Sequence, residues 1–328
     1  MTETPKMRDP KLAIVAPSRA LVRDIARSDV DKEQIEAAVR SLSAMGWSVT
    51  IASNVYQNVN RFAGNDATRA QTFIEAMLDP DVDLVMPIRG GYGAGRLLPL
   101  IDWDSMKHSH GRFVGLSDAT VINLALLARC GLPSWQGPVA RAFARENAQR
   151  DAAFKKALAE REFRFTCAVE SSEDMKAQGP IWGGNLSMVV SLLGTPYFPS
   201  IEGGILFLED VSEPAWRVER MLWQLLQAGV LSKQSALILG DMTGSEVASG
   251  EGDSHFGLKE AIDYIRGKLS VPVITGIPFG HRSDTVTLPV GVESIVRVAQ
   301  GSLEIFCERP PIPATTPFDE GEPNNWWI

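Results

Sequence analysis

A serine placed where a strand gives way to a helix is the first residue in this chain that could do chemistry. Gly115-Leu116-Ser117-Asp118-Ala119-Thr120 closes the apolar run 113–116 and leads straight into a helix-forming stretch. It falls one residue short of a G-x-S-x-G nucleophile elbow, because Ala119 stands where the second glycine would be. A tight turn exposes the hydroxyl, and the free N–H groups and positive end of the next helix face any oxyanion that develops. The same serine also fits a plain helix N-cap. A serine nucleophile needs a base and a group to orient that base. His108 and His110 fall in the polar stretch MKHSHGR and His255 in GEGDSHFG, both read as surface loops. The H-x-H spacing could hold a metal, but no cysteine or carboxylate cluster joins it. His281 differs, following PFG in a turn between two strand-like runs. Glu209 ends the apolar run GILFLE, where a carboxylate is costly unless it is paired or sits at a strand mouth. Ser117, Glu209 and His281 are therefore the candidate triad, and their chain order is no obstacle because geometry defines triads.

The loop Arg89-Gly90-Gly91-Tyr92-Gly93-Ala94-Gly95-Arg96 follows another apolar run. Its spacing meets neither G-x-G-x-x-G nor G-x-x-x-x-G-K-[ST], the phosphate-cradling patterns. Glycines there let backbone N–H groups approach a reacting carbonyl. The Gly91 and Asp118 N–H groups are the expected oxyanion hole, and Arg89, Gly90 and Tyr92 the expected substrate contacts. A structural glycine turn remains the plain alternative.

These groups need strands to aim them. Apolar runs at 12–18, 47–52, 83–88 and 113–116 alternate with helical periodicity at 31–46, 66–79 (opened by a cap-like Asp66) and 118–130. The alternation predicts an α/β domain with a parallel sheet, and in such sheets ligands bind beyond the carboxyl ends of the strands. Residues 142–180 are charged and lack a sheet pattern, apart from a polar helix. Beyond them come short strands at 205–210, 236–241, 271–275 and 286–291 and one amphipathic helix ending at Gly229. The expected organisation is an amino-terminal α/β domain over 1–150 with the nucleophile, a linker over 151–180, and a smaller short-stranded domain over 181–328 with Glu209 and His281. The Pro-rich tail after 308, ending NNWWI, reads as loosely ordered.

The chain has 328 residues, 45% of them apolar, and a formal net charge of −8, values that support a sizeable core. Without a basic cluster it does not read as a nucleic-acid binder. No apolar stretch approaches the roughly 18 residues of a membrane span, and the first apolar run is too short for a signal peptide. A cytoplasmic protein is expected. Cys130, Cys167 and Cys307 fit neither a disulfide framework nor a metal motif. The expected chemistry needs no metal and no cofactor.

APS at 16–18, RFAG at 61–64, RGGYGAGRLLPLIDW at 89–103, GLSDAT at 115–120, WGGNLSMVVSLLGTP at 182–196, ILFLED at 205–210, RVERMLWQLLQAG at 217–229 and GIPFGH at 276–281 resemble the murein tetrapeptide LD-carboxypeptidases. The resemblance spans about residues 12 to 305. It implies a serine peptidase with Ser117 as nucleophile, Glu209 as acid and His281 as base, and Gly90–Gly91 in the oxyanion region. It further implies a two-domain fold with the site between domains, removal of terminal D-alanine from recycled cell-wall tetrapeptides, and a homodimer. Leu116, Ala119 and Gln136 depart from the common pattern and bear on pocket shape. A related type, the microcin-C immunity peptidases, cleaves aminoacyl-nucleotide amides with the same triad. The sequence does not tell diaminopimelate from lysine at the third peptide position, nor whether sugar-bearing muropeptides fit.

Overall fold

Continuous apolar runs are what strands buried on both faces require, and the computed structural model, which describes residues 9–24, 29–169, 174–245 and 256–318, builds its first sheet from them. The chain begins with β1 (Lys11–Val15), a small hairpin of β2 (Val22–Asp24) and β3 (Asp29–Val30), α1 (Lys32–Ala44), β4 (Ser48–Ile51), α2 (Asp66–Leu78) and β5 (Leu84–Pro87). It continues through α3 (Trp103–Met106), β6 (Arg112–Gly115), α4 (Thr120–Cys130) and β7 (Ser134–Gln136). After α5 (Ala148–Ala159) come β8 (Phe163–Ala168), β9 (Met175–Asn185), α6 (Leu186–Ser191), β10 (Ile205–Val211), α7 (Ala215–Gln227) and β11 (Ala236–Thr243). The last elements are α8 (Leu258–Arg266), β12 (Val273–Thr275), β13 (Leu288–Val290), β14 (Val292–Ala299) and β15 (Ser302–Cys307).

Two sheets result. The first runs β13-β7-β6-β5-β1-β4, with β4, β1, β5, β6 and β7 mutually parallel and β13 antiparallel at the edge. The second runs β12-β11-β10-β9-β14-β15-β8, its β9 to β12 half parallel and its other half antiparallel. The protein is thus a mixed α/β fold, with an amino-terminal parallel-sheet domain and a carboxy-terminal domain built on the second sheet. α7 illustrates the local logic: Ala215, Val218, Leu222 and Leu225 form its buried stripe, and Gly229 at φ 73° lets the chain turn away after it.

Several expectations need correction. Residues 151–180, read as a linker, hold most of α5, the edge strand β8 and the start of β9, and every residue of 163–168 pairs with β15. The run at 286–291 supplies β13 to the first sheet, not to the second. α2 is capped by Asn65, whose side chain accepts from Thr68 N, while Asp66 pairs with arginines. The tail is anchored as far as 318: Trp135 Nε1 donates to Pro311 O at 2.9 Å, Thr315 N to Asp83 Oδ1 at 3.2 Å, and Phe318 meets Trp47 edge-on at 5.8 Å. Trp326 and Trp327 lie outside the described residues. Among the described residues no helix is long and apolar enough to cross a membrane.

Candidate active site

In the first sheet the chain winds from β1 outward to β4, then returns to β5 on the other side of β1. The crevice beyond β1 and β5 is the switch point at which open parallel sheets bind ligands. Three loops meet there: residues 16–19 after β1, 88–95 after β5, and 116–119 after β6. The Asp118 carboxylate ties them together. Its Oδ2 accepts from Ser18 Oγ at 2.6 Å and from Ala94 N at 2.8 Å. Burial pushes this carboxyl above its ordinary value, against the pull of those donors. Arg69, fully buried, binds the carbonyls of Pro17 and Gly93 from the other side.

Ser117 sits in the 3-10 turn 117–119 that precedes α4, with φ 66°. A non-glycine residue there costs about 1–3 kcal/mol, a strain that persists where surrounding structure enforces it. Gly90 packs directly on it. A Cβ built at Gly90 would lie 2.8 Å from Ser117 Cβ and 3.0 Å from its Oγ, so only glycine lets the loop come this close. Gly91 follows with φ 124°, beside Arg19 and Arg89. Tyr92, 53% exposed, stands further out over Phe62 and Arg61. Arg89 donates from Nε to Gly90 O at 3.0 Å. Burial, then the charges of Arg141, Arg19 and Arg61, push its pKa down to about 10.

The second sheet presents its own carboxyl edge to the same place. Glu209, fully buried, and Asp210 end β10 next to Asn185, which ends β9, in parallel register. His281 lies in the loop after β12, and its Nδ1 is 2.7 Å from Glu209 Oε2. Asn185 Nδ2 bridges the two carboxylates, 3.1 Å from Glu209 Oε1 and 3.0 Å from Asp210 Oδ1. Asp210 also receives Ser187 N and Oγ at 2.9 and 2.6 Å. Burial disfavours charge on His281, but the Glu209 hydrogen bond and the Glu209 and Asp210 carboxylates outweigh it and raise its proton affinity. Arg141 acts against that rise.

Thr120 Oγ1 joins the two edges, accepting from Asn185 N at 3.1 Å and from Gln136 Nε2 at 3.0 Å. The join is close enough that a Cβ at Gly184 would lie 2.3 Å from Gln136 Nε2. The fold therefore gathers Ser117, Gly90, Gly91, Asp118 and Arg89 on one edge and Glu209 and His281 on the other. His108 and His110 are exposed, and His255 lies outside the described residues. Such a site can run acyl transfer. A hydroxyl sits at a helix start, an imidazole has its Nδ1 fixed by a carboxylate, and backbone N–H groups surround the turn. Ser117 Oγ and His281 share no hydrogen bond in this structure, and proton transfer requires them to approach to about 2.6–3.2 Å. Sequence reading overlooked Ser18, Thr120, Asn185, Asp210, Arg19, Arg61 and Arg141. The motifs APS, WGGN and LED flagged several as neighbours of apolar runs, but their roles depend on cross-sheet pairing.

Comparisons with known proteins identify the family of the chain. The LD-carboxypeptidase N-terminal domain matches residues 12–137, and the LD-carboxypeptidase C-terminal domain matches residues 178–296. The murein tetrapeptide carboxypeptidase of Pseudomonas aeruginosa is 30% identical over 305 residues, covering 88% of this chain and 93% of that protein. The muramoyltetrapeptide carboxypeptidase of Oxalobacter formigenes superposes with a TM-score of 0.83 at 35% identity, over 92% of this chain and 99% of that one. The microcin C7 self-immunity protein of Escherichia coli is 27% identical over 264 residues, covering 70% of this chain and 76% of that protein. With both domains matched in order and relatives of this coverage, the chain belongs to the LD-carboxypeptidase family and is a serine-type carboxypeptidase.

Proposed function

We propose that this protein removes the terminal D-alanine from murein tetrapeptides during cell-wall recycling, with Ser117 as nucleophile, His281 as general base and acid, and Glu209 as the group that orients it. The observation that carries the reading is the His281–Glu209 pair at 2.7 Å, with Glu209 near the end of β10 beside Asn185, which hydrogen-bonds through Thr120 to the helix behind the strained Ser117. Glu209 keeps the proton on His281 Nδ1, which leaves Nε2 free to accept. Nε2 takes the Ser117 proton as Oγ attacks the carbonyl carbon of the L-centre. The oxyanion that forms lies against the N–H groups of Gly91 and Asp118. His281 then gives its proton to the D-alanine nitrogen, the C–N bond breaks, and water cleaves the acyl-serine by the same relay. Arg89, Gly90 and Tyr92 contact the substrate, and Arg89 takes the terminal carboxylate. The protein works in the cytoplasm as a homodimer, a reading that rests on the resemblance.

The murein substrate is favoured over an aminoacyl-nucleotide amide because the murein tetrapeptide carboxypeptidase sequence is 30% identical over 88% of the chain and the self-immunity sequence 27% over 70%, and the muramoyltetrapeptide carboxypeptidase structure is the more identical at 35%. Parallel measurement of kcat/KM on L-Ala-γ-D-Glu-meso-diaminopimelyl-D-Ala and on aspartyl sulfamoyl adenosine decides between them. Preferred turnover of the tetrapeptide is expected, and preferred turnover of the sulfamoyl adenosine would transfer the assignment to the immunity type.

A further inference from the structure

Two buried side chains of opposite charge hold the same two loops at neighbouring residues. Residues 17 and 18 follow β1, and residues 93 and 94 follow β5. Asp118 Oδ2 takes the donors of both loops, Ser18 Oγ at 2.6 Å and Ala94 N at 2.8 Å. Arg69 Nη1, from α2, takes their acceptors, the carbonyl of Pro17 and that of Gly93 at 3.0 Å. Asp118 is 3% exposed and Arg69 0%. Replacing buried charges by apolar groups of similar volume often leaves a protein as stable or more so, which makes stability a weak account of this pair.

Arg69 is itself locked in place. It pairs with Asp66 and lies 4.7 Å over the Phe62 ring. A Cβ on Gly93 would lie 2.7 Å from Phe62 Cε1 and 3.0 Å from Arg69 Nη1, so a glycine at φ 121° lets the loop settle on the guanidinium. The start of the glycine loop is fixed separately. Ile88 N donates to Val15 O at 2.7 Å, and Ile88 O accepts from Arg141 N at 3.0 Å. Residues 89–92, Gly91 among them, span the distance between the two fixed ends. The acidic half of the clamp belongs to the residue after Ser117. Its carboxylate therefore sets how far the Gly91 N–H stands from the Asp118 N–H, the two donors assigned to the oxyanion.

We propose that the Asp118 carboxylate and Arg69 are positioning groups for the oxyanion hole, with the Ser18 hydroxyl as the point at which the loop after β1 is bound. They touch no substrate. They keep the glycine loop in register with the nucleophile turn, so that both N–H groups converge on the tetrahedral oxygen. The proposal rests on the carboxypeptidase reading above and deepens it.

The test uses the full chain, with D-alanine release from L-Ala-γ-D-Glu-meso-diaminopimelyl-D-Ala giving kcat and KM. Inhibition constants are measured for the product tripeptide and for a phosphinate analogue, whose tetrahedral phosphorus and charged oxygen replace the scissile carbonyl. Asp118→Ala removes the shared acceptor. A donor misplaced by an ångström costs about 10²-fold, so kcat should fall and phosphinate binding should weaken by about 10². KM and tripeptide binding should stay within about threefold, because the ground state does not use the oxyanion donors. Asp118→Asn keeps an acceptor oxygen without the charge and should recover part of the loss. Ser18→Ala and Arg69→Lys should each lower kcat about tenfold at steady KM. The Ser18→Ala effect should vanish on top of Asp118→Ala, since the partner of that hydroxyl is already gone. Far-ultraviolet circular dichroism checks folding, and where Asp118→Ala does not fold, Ser18→Ala and Arg69→Lys decide by the same criteria. Native kcat in the folded variants would overturn the clamp while leaving the carboxypeptidase reading intact. So would equal weakening of phosphinate and tripeptide binding. No D-alanine from the native protein would overturn the clamp and the reading together.

Discussion

Replacing Glu209 by glutamine changes one atom and reverses one hydrogen bond. Asn185 is pinned, since its Oδ1 accepts from Met188 N at 3.2 Å and its Nδ2 must therefore donate, at 3.1 Å to Glu209 Oε1. A glutamine in the same pose turns its carbonyl oxygen to Asn185 and its NH₂ to His281 Nδ1, now 2.7 Å from Glu209 Oε2. Nδ1 must then accept, the imidazole proton moves to Nε2, and the nitrogen that should take the Ser117 proton has become a donor. The opposite pose sets two donors against each other in a fully buried place, at a cost of about 1–3 kcal/mol. A triad histidine in the wrong tautomer loses about 10⁴ in kcat, or about 5.5 kcal/mol of transition-state stabilisation. Glu209→Gln should therefore release D-alanine about 10⁴-fold more slowly. KM should change little and the circular dichroism spectrum should be preserved, because the side chain is isosteric. A loss of less than tenfold in a folded variant would refute the tautomer argument.

Four further outcomes follow from the same geometry. Gly90→Ala places a methyl 2.8 Å from Ser117 Cβ, displacing the nucleophile or the loop by a large fraction of an ångström, and kcat should fall about 10²-fold with a small change in melting temperature. Asn185→Ala leaves the buried Glu209 Oε1 without its donor, while Asp210 Oδ1 keeps Val211 N at 2.8 Å, and should destabilise the fold by about 1–3 kcal/mol, read as an earlier urea midpoint at unchanged m-value. The raised proton affinity of His281 puts the acid limb of kcat/KM above the ordinary imidazole value, with activity rising as pH rises through it, because the base must be neutral. Arg141→Gln removes a charge that opposes this rise, so the limb should move to still higher pH, and a shift to lower pH would contradict the charge assignment.

Some of this was legible in the sequence and some was not, for reasons that can be named. β1, β5 and β6 are short apolar runs buried on every residue or nearly so, and such runs announce parallel strands. Ser117 stands out because a glycine and a strand precede it and a helix follows. The antiparallel half of the second sheet is harder to read. β14 alternates buried and exposed positions, as VESIVRVA, and its charged outer face masks the strand. β13 is three residues long, and nothing local says that it pairs with β7 across the molecule. The anchoring of 308–318 depends on backbone oxygens and on Trp135, which carry no sequence signature. Asn185 needs the β9–β10 register to reach Glu209, and Arg19, Arg61, Arg89 and Arg141 come from four separate loops that only the folded chain brings together.

The account depends above all on Ser117 being the nucleophile for an L–D bond. Purified protein incubated with L-Ala-γ-D-Glu-meso-diaminopimelyl-D-Ala, with D-alanine assayed beside Ser117→Ala, tests that claim directly. Release by the native protein and none by a folded Ser117→Ala variant is the predicted result. Undiminished release by the variant, or no release by the folded native protein, would contradict it.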